Sequence, residues 1–211
     1  CVGGGFVYGS LGMSHHATED LAILRALPDV VVMAPADLVE AEECTKALVS
    51  YPGTAYLRLG RGGEKRIHDK IENFRIGKAI KVHEGKKVAI FSTGAIFEEI
   101  VIAYDELVEK GYSPAVYTFP TVKPIDIETI EDIAQKFELI VTCEEHNIVG
   151  GFGGAVAEVI AEMKTKKAVL VRIGIKDEYS IRVGNQAYLR KQYGIDAKNI
   201  VKKVINFFKG E

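Results

Sequence analysis

The chain has 211 residues, 47% of them hydrophobic and 27% charged, with a formal net charge of −2 at pH 7. This length is enough for one large packed domain or two small ones. The near-neutral charge gives no electrostatic attraction to nucleic acid or to an anionic membrane surface, so we expect neither as a partner. No apolar run approaches the ~20 residues that a membrane-spanning helix needs.

The cysteines and the first residues of the chain bear on its setting and origin. Cys1, Cys44 and Cys143 are far apart and form no CxxC motif. This pattern is typical of free thiols in a reducing compartment and predicts a cytoplasmic protein. The sequence begins inside a glycine-rich segment, CVGGG, with no initiator methionine. We therefore expect a piece of a longer polypeptide, trimmed by design or by proteolysis.

The first regular element is predicted to be a helix that begins at the polar run Thr18, Glu19 and Asp20, residue types suited to a helix N-terminus. It should end near Pro28. The β-branched run that follows, DVVVMA, is typical of a buried strand and is ended by Pro35.

A second helix and strand complete the first part of the chain. Asp37 and Glu40 form a capping-box-like pair, which predicts a helix over PADLVEAEECTKALVS. TAYLRL, residues 54–59, is a strand candidate. Residues 1–59 therefore form a partial β/α unit.

Residues 60–78 are predicted to be a linker, because the sequence GRGGEKRIHDKIENFRI is charged, interrupted by glycine and aperiodic. Residues 79–211 then form the second domain. It opens with two strand candidates, KAIKV and KKVAIFS, separated by HEG as in a hairpin turn.

Helices and strands alternate through the rest of the chain. The predicted elements are a helix over STGAIFEEIVIAYDELVEKG, a strand AVYTF, a helix DIETIEDIAQKF, a strand LIVTC, a helix GGFGGAVAEVIAEM, a strand AVLVRIGI and a last helix capped by Asp196. Regular alternation of this kind predicts an α/β fold, here a three-layer αβα domain with a mostly parallel sheet.

His15 and His16 lie side by side just before the first predicted helix. A neutral imidazole there can exchange a hydrogen bond or a proton with a substrate hydroxyl near neutral pH. Adjacent loop residues usually point in different directions, so at most one should face a given ligand. Spacing alone favours the alternative of a solvated loop pair. No Cys, Asp or Glu lies at a spacing that indicates zinc, and we predict no metal site.

Two further groups of polar residues follow strands. Arg58 and Arg61 end a strand beside three glycines, where guanidinium groups could grip a phosphate, or simply form surface ion pairs. Glu144, Glu145 and His146 follow LIVTC. They form either a site or, as we favour, a hydrogen-bonded loop or subunit contact.

GGFGG, residues 150–154, lies between a predicted strand and a helix. It lacks the GxGxxG spacing of a dinucleotide-binding loop, and no acidic residue clearly ends the next strand at the required distance. We interpret these glycines as allowing close packing of the helix against the sheet.

Three segments resemble the transketolase family over essentially the whole chain: SHHATEDLAILRALPDVVVMAPADLVEAE, TVKPID and CEEHNIVGGFGGAVAEVIAE. The first resembles the pyrimidine-binding domain of that family, and the other two its C-terminal domain. The residues that match the first motif are Ser14, His15, Asp20, Arg25, Pro28, Pro35 and Asp37. Deoxyxylulose phosphate synthases and 2-oxoacid dehydrogenase β subunits share this architecture, but ILRALP and MAPAD look closer to transketolase.

The resemblance implies a partial pyrimidine-binding domain, residues 1–59, and a part in a transferase of pentose phosphate carbohydrate metabolism. Such an enzyme uses thiamine diphosphate and a divalent metal, and moves a two-carbon ketol unit between sugar phosphates. It is a dimer with the cofactor at the subunit interface. By the resemblance, His15 is a catalytic and substrate-binding residue, Arg61 binds the substrate phosphate, and His16 occupies a variable position.

The chain also departs from the family pattern. Leu11 stands where transketolases usually carry an aspartate that contacts the sugar, and no histidine is present near Gly3. These losses imply a different ketose or a rearranged loop. The family's cofactor-activating glutamate, stacking aromatic residue and metal-diphosphate motif all lie upstream of this segment. We therefore expect the chain alone to be inactive and to bind no cofactor tightly.

The missing parts leave two hypotheses for the role of the chain. In the first, it works with the N-terminal half or a partner subunit, as a homodimer, on a sugar phosphate. In the second, it is a non-catalytic assembly or regulatory module.

Overall fold

The first part of the chain builds a small sheet with two helices. The computed structural model describes residues 1–210. Strands β1 (Val30–Met33) and β2 (Thr54–Leu57) pair in parallel, with Val30 opposite Thr54. Helix α1 (Asp20–Arg25) precedes β1, and α2 (Leu38–Val49) connects the two strands. The predicted β/α order of this part is confirmed.

The third strand of this small sheet comes from the second part of the chain. Strand β6 (Thr121–Lys123) pairs antiparallel with β1, so that the sheet order is β2-β1-β6. The sequence predicts no strand there. Three residues are too short to give a periodic signal, and the pairing joins segments far apart in sequence. As a result, the two parts of the chain share one sheet.

The second part is built on a five-stranded sheet with the order β3-β5-β4-β7-β8. All neighbouring strands are parallel except β3, which runs antiparallel to β5 at the edge. The strands are β3 (Ile80–His83), β4 (Val88–Ser92), β5 (Ala115–Thr118), β7 (Leu139–Asn147) and β8 (Val169–Ile175).

The expected hairpin between KAIKV and KKVAIFS is wrong. Strand β5 lies between β3 and β4, so these two strands do not pair. The intervening turn passes across the start of β5, where the Lys86 N–H donates to the Ser113 carbonyl at 2.7 Å. A Cβ on Gly85 would lie 2.0 Å from the backbone nitrogen of Ala115. The glycine therefore permits a crossing rather than a tight hairpin.

Helices cover both faces of this sheet, which confirms the three-layer αβα prediction. Successive β4 residues face opposite layers, since Ile90 packs in one cluster and Phe91 in the other. The first cluster contains residues of α3 and α7, and the second those of α4 and α5. The helices are α3 (Phe97–Glu109), α4 (Ile127–Lys136), α5 (Phe152–Glu162), α6 (Gln186–Gln192) and α7 (Ala197–Lys209).

Helix caps follow the local sequence closely. The Asp37 carboxylate accepts from the Glu40 N–H at 2.8 Å, and Asp196 caps α7 through the Asn199 N–H at 3.3 Å. No helix of the described residues is long and apolar enough to cross a membrane.

Candidate functional site

A cavity of about 470 Å³ lies where β1 and β2 end. Its walls include Pro35, Ala36 and Asp37, which follow β1, and residues 59–64, which follow β2. The carboxyl ends of parallel strands are where ligands collect in α/β folds, because the loops that follow neighbouring strands meet there. This cavity is the candidate substrate site.

Arg61 lies in the loop that follows β2 and lines this cavity. Its side chain is exposed, and it forms no ion pair with any carboxylate of residues 1–210. An unpaired guanidinium at a cavity wall is available to bind an anion through two parallel hydrogen bonds.

His15 ends a single turn of 3-10 helix, Met13–His15, ahead of α1. Its ring is exposed, and Nδ1 lies 3.0 Å from the Ser14 hydroxyl. His15 is not among the residues that line the cavity beside Arg61. The structure of this chain therefore leaves the two predicted site residues in separate loops.

His16 is buried and tied to two distant segments. Nε2 lies 3.2 Å from the Gly9 carbonyl, and Nδ1 lies 2.8 Å from the Ser180 hydroxyl. Nδ1 also lies 3.0 Å from the Ser180 carbonyl, so both ring nitrogens are hydrogen-bonded inside the protein. The ring also meets Phe6 edge-on, with centroids 5.2 Å apart. These contacts fix the loop that carries His15.

Arg58 is buried, so the expected surface location is wrong, and its ion pair lies inside the protein. It is 6% exposed, and Nε donates to Asp20 Oδ2 at 2.9 Å. Nη2 donates to the carbonyl oxygens of Ala17 at 2.6 Å and Glu145 at 3.0 Å. With these donors occupied inside the protein, the guanidinium joins β2, α1 and β7.

Glu144, Glu145 and His146 are part of β7, which is longer than the predicted LIVTC strand and continues to Asn147. All three are buried. Pairing with β8 continues beyond Cys143, where the register shifts, and Asn147 pairs with Ile175. A polar sequence inside a buried strand gives no periodic signal, which is why the strand end was misplaced.

The Glu145 carboxylate connects three parts of the fold. It accepts from the Phe6 N–H at 2.6 Å and from Gln186 Nε2 at 2.8 Å. Its other oxygen pairs with Arg190, which is buried beneath α3 and also contacts Glu98 at 3.1 Å. This network fastens the first segment of the chain to β7 and α6.

Glu144 occupies the N-terminus of α5. Its carboxylate accepts from the N–H groups of Phe152 at 2.6 Å and Gly153 at 2.8 Å. Burial raises its pKa to about 7, although these two hydrogen bonds act in the opposite direction. A Cβ on Gly151 would lie 2.1 Å from Glu144 Oε2. The interpretation of GGFGG as a close-packing motif is confirmed, since the protein's own carboxylate fills the position a phosphate would take.

His146 is a neutral structural residue. The Ala22 N–H donates to Nε2 at 3.3 Å, so Nδ1 carries the proton and donates to the Asn147 carbonyl at 2.7 Å. Burial, aided by the positive charge of Arg58, lowers its pKa to about 4. Such a ring is already hydrogen-bonded at both nitrogens and is not available as a general base.

A buried polar group that was not predicted lies at the start of α2. Nε2 of His68 lies 2.9 Å from Glu40 Oε1, and Asp37 Oδ2 accepts from the His68 N–H at 2.9 Å. Burial lowers the pKa of His68, but the hydrogen bond and charge of Glu40 outweigh it and raise the pKa. The Asp37–Glu40 capping pair was the visible signal, although nothing local in the sequence connects it to His68.

A second, more polar cavity of about 490 Å³ lies on the other side of the Arg61 loop. Arg61 and Lys65 face it from the loop, while Glu98 and Glu99 belong to α3 and Arg190 to α6. No group of three or more His, Cys, Asp or Glu side chains within residues 1–210 is arranged to hold a metal ion.

The fold and this site define a two-part α/β chain of the class that forms the pyrimidine-binding and C-terminal domains of thiamine diphosphate enzymes. Two family models match it: transketolase, pyrimidine binding domain, over residues 2–63, and transketolase, C-terminal domain, over residues 77–200. The chain belongs to the transketolase family, which confirms the resemblance in its sequence.

Two of the similar relatives are named as a section and a subunit of transketolases. The chain is 38% identical over 209 residues to a transketolase C-terminal section of Methanocaldococcus jannaschii, covering 98% of this chain and 65% of the relative. It is 35% identical over 213 residues to one of the subunits of an apulose-4-phosphate transketolase of Phocaeicola vulgatus, covering 99% and 66%. It therefore spans about two thirds of the length of these relatives.

A solved structure agrees with these sequence matches. A split-gene transketolase, described as an inactive β4 tetramer, superposes with a TM-score of 0.84 at 30% identity, covering 98% of this chain and 64% of that one. The prediction that the chain corresponds to a C-terminal section or subunit of a transketolase-like transferase is confirmed.

Proposed function

We propose that this chain supplies the sugar-phosphate side of a transketolase-like active site, and that ketol transfer requires the polypeptide that carries the rest of the enzyme. The unpaired guanidinium of Arg61, at a cavity formed by the carboxyl ends of β1 and β2, carries this proposal. Arg61 would bind the substrate phosphate in a bidentate manner. His15, exposed in its own loop, would hydrogen-bond the sugar.

The cofactor would be held mainly outside this chain. Thiamine diphosphate, when bound, supplies the nucleophilic carbon that takes up a two-carbon unit. The described residues do not form a metal-diphosphate site, since no cluster of metal-binding side chains is present among them. The diphosphate and its divalent metal would therefore lie on the partner polypeptide, and this chain contributes the groups that bind and orient the sugar.

The sugar would differ from that of an ordinary transketolase. Gly3 has φ +102°, and a Cβ there would lie 2.7 Å from the Tyr8 ring, so a histidine does not fit this backbone. Leu11 is 57% exposed where the family usually carries a sugar-binding aspartate. Without those two polar contacts, we expect a ketose phosphate with a different hydroxyl pattern.

The partner would be a polypeptide that carries the N-terminal half of the enzyme, by analogy with the relative that is one of the subunits of an apulose-4-phosphate transketolase. We further propose that the chain also pairs with itself, that the complete enzyme is cytoplasmic, and that residues 60–78 connect a pyrimidine-binding part, residues 1–59, with a C-terminal domain, residues 79–211.

The test is reconstitution. The purified chain, the polypeptide encoding the N-terminal part, and a mixture of both are assayed for ketol transfer with thiamine diphosphate and Mg²⁺, over a panel of ketose phosphates. We expect activity in the mixture alone. Full activity of the chain by itself would contradict the proposed dependence. A stable mixture without transfer on any donor would instead favour the non-catalytic assembly module.

A further inference from the structure

The loop that presents Arg61 is held by one side chain. Oε1 of Glu64 accepts from the backbone N–H of Arg61 at 3.1 Å and from that of Gly62 at 3.4 Å. Within the described chain, residues 61–65 take part in no other hydrogen bond. The next fixed point is Ile67, whose N–H donates to Asp37 at 2.8 Å.

Little else restrains this loop. Gly62 and Gly63 have φ values of +93° and +94°, and a Cβ at either position would find nothing within 4 Å. Glycines in open space have a wide choice of backbone conformations, and fixing each costs ~1–2 kcal/mol. Packing does not fix the backbone conformation of this segment, so the two hydrogen bonds to Glu64 select it.

The same contacts keep Arg61 available. The Glu64 carboxylate lies on backbone donors, and it forms no ion pair with the Arg61 guanidinium in the described chain. Arg61 borders both cavities, and the loop separates them. The Glu64 carboxylate thus orders the loop without neutralising the Arg61 guanidinium, which would bind an anion.

We propose that Glu64 is a positioning residue for Arg61: its carboxylate fastens loop 60–64 so that the guanidinium is presented, unpaired, to a phosphate group in the adjoining cavity. This inference rests on the proposed function of Arg61 and adds to it. Preorganisation of this kind lowers the entropy that a ligand must remove on binding.

Gly60 offers an independent way to disturb the contact. A Cβ on Gly60 would lie 1.8 Å from Glu64 Oε1 and 2.8 Å from its carboxyl carbon. Gly60→Ala therefore displaces the carboxylate while leaving its charge in the chain. Glu64→Ala removes both carboxylate and charge, whereas Glu64→Gln keeps an oxygen that accepts N–H bonds and removes only the charge.

The experiment titrates the full chain with fructose 6-phosphate and, in parallel, with fructose, and follows the Arg61 side-chain and backbone resonances by NMR. We expect Glu64→Ala and Gly60→Ala to weaken fructose 6-phosphate binding about five- to tenfold. This factor corresponds to the entropy cost of ordering about one loop residue, which the ligand would then have to meet. Fructose binding should not change. Glu64→Gln should restore binding to within about twofold, and the order parameters of the Arg61 and Gly62 amides should fall only in the first two variants.

Two control variants distinguish the positioning role of Glu64 from the proposed phosphate binding by Arg61. Glu72→Ala removes an exposed carboxylate farther along the connecting segment, paired only with Lys70, and should change nothing. Arg61→Ala should abolish the preference for the phosphorylated sugar. If Arg61→Ala has no effect, the proposed phosphate site is wrong. If Arg61→Ala weakens binding but Glu64→Ala and Gly60→Ala do not, or if Glu64→Gln behaves like Glu64→Ala, the positioning role is wrong and the phosphate site stands.

Discussion

Arg58 and Asp20 form a buried ion pair that fastens the end of β2 to the start of α1. Nε of Arg58 lies 2.9 Å from Oδ2 of Asp20, and the two side chains are 6% and 15% exposed. The same carboxylate oxygen accepts from the Tyr56 hydroxyl at 2.8 Å. The loop that carries His15 leads into Asp20, and the loop that carries Arg61 follows Arg58. The ion pair therefore fixes the elements next to which both loops lie.

Replacing Arg58 by alanine should lower the free energy of unfolding by about 3–5 kcal/mol, because it leaves the Asp20 carboxylate buried without its cation. Urea denaturation of the chain measures the change. Lys46→Ala is the matched control: Lys46 is 60% exposed and pairs with Glu42 and Glu43 on the surface, so its replacement should leave the free energy of unfolding almost unchanged. Equal losses in the two variants would contradict a structural role specific to Arg58.

Changing His15 or His16 to alanine should have different effects on stability and on activity. His16→Ala removes two hydrogen bonds and a buried ring, so we expect a loss of about 2–3 kcal/mol in the free energy of unfolding. His15 is exposed, and within residues 1–210 its ring makes one hydrogen bond, to the Ser14 hydroxyl at 3.0 Å. His15→Ala should leave the unfolding free energy within ~0.5 kcal/mol of the parent chain while lowering kcat of the reconstituted enzyme. A large stability loss in His15→Ala would show that this ring is structural.

The predictions that succeeded rest on local signals. The Asp37–Glu40 pair predicted the start of α2, and the carboxylate does accept the Glu40 N–H. The glycines of GGFGG predicted close packing because only a residue without a Cβ fits at Gly151. Such features are written into a few adjacent residues, and they need no knowledge of the rest of the chain.

The failures involve pairings between distant residues. Arg58 and Asp20 are 38 positions apart in the sequence, and the residues near each of them do not indicate that the two form a pair. Strand β6 pairs with β1 from far along the chain, and β3 pairs with β5 instead of the adjacent β4. Arg58 and Glu144 were each open to a functional and to a structural interpretation, and only the tertiary contacts show that both groups are hydrogen-bonded inside the protein. Sequence alone could identify the polar residues, but not which of them remain free.

His146 should make a contribution to stability that is lost as the pH drops below 6.5, whereas Glu144, whose pKa is raised to about 7, contributes in the opposite direction. The pKa of His146 is lowered from 6.5 to about 4 by burial and by Arg58. Between these values the unfolded chain takes up a proton that the folded chain excludes, so stability present above pH 6.5 is lost toward pH 4. The full shift corresponds to about 3 kcal/mol. The measurement compares unfolding free energies of the parent chain and His146→Gln at several pH values. Relative to the parent chain, the variant should gain stability as the pH falls through this window, and parallel curves would contradict the assignment.

Gly151 and Gly154 should respond in opposite directions to the same change, because they differ in what a methyl group would meet. At Gly151 a Cβ would lie 2.1 Å from Glu144 Oε2 and 2.6 Å from His146 Nδ1, both buried and hydrogen-bonded. At Gly154, inside α5, the nearest atom would be Arg25 Nη1 at 3.7 Å, an ordinary contact.

We therefore expect Gly151→Ala to destabilise the chain by about 2–3 kcal/mol, since the Glu144 carboxylate must leave the N–H groups of Phe152 and Gly153. Gly154→Ala should stabilise it by about 0.4–1 kcal/mol, because alanine reduces the freedom of the unfolded chain and favours the helix. Urea denaturation of both variants tests the pair. If Gly151→Ala were neutral, Glu144 would not be confined at the N-terminus of α5, and that terminus would be open to an external anion.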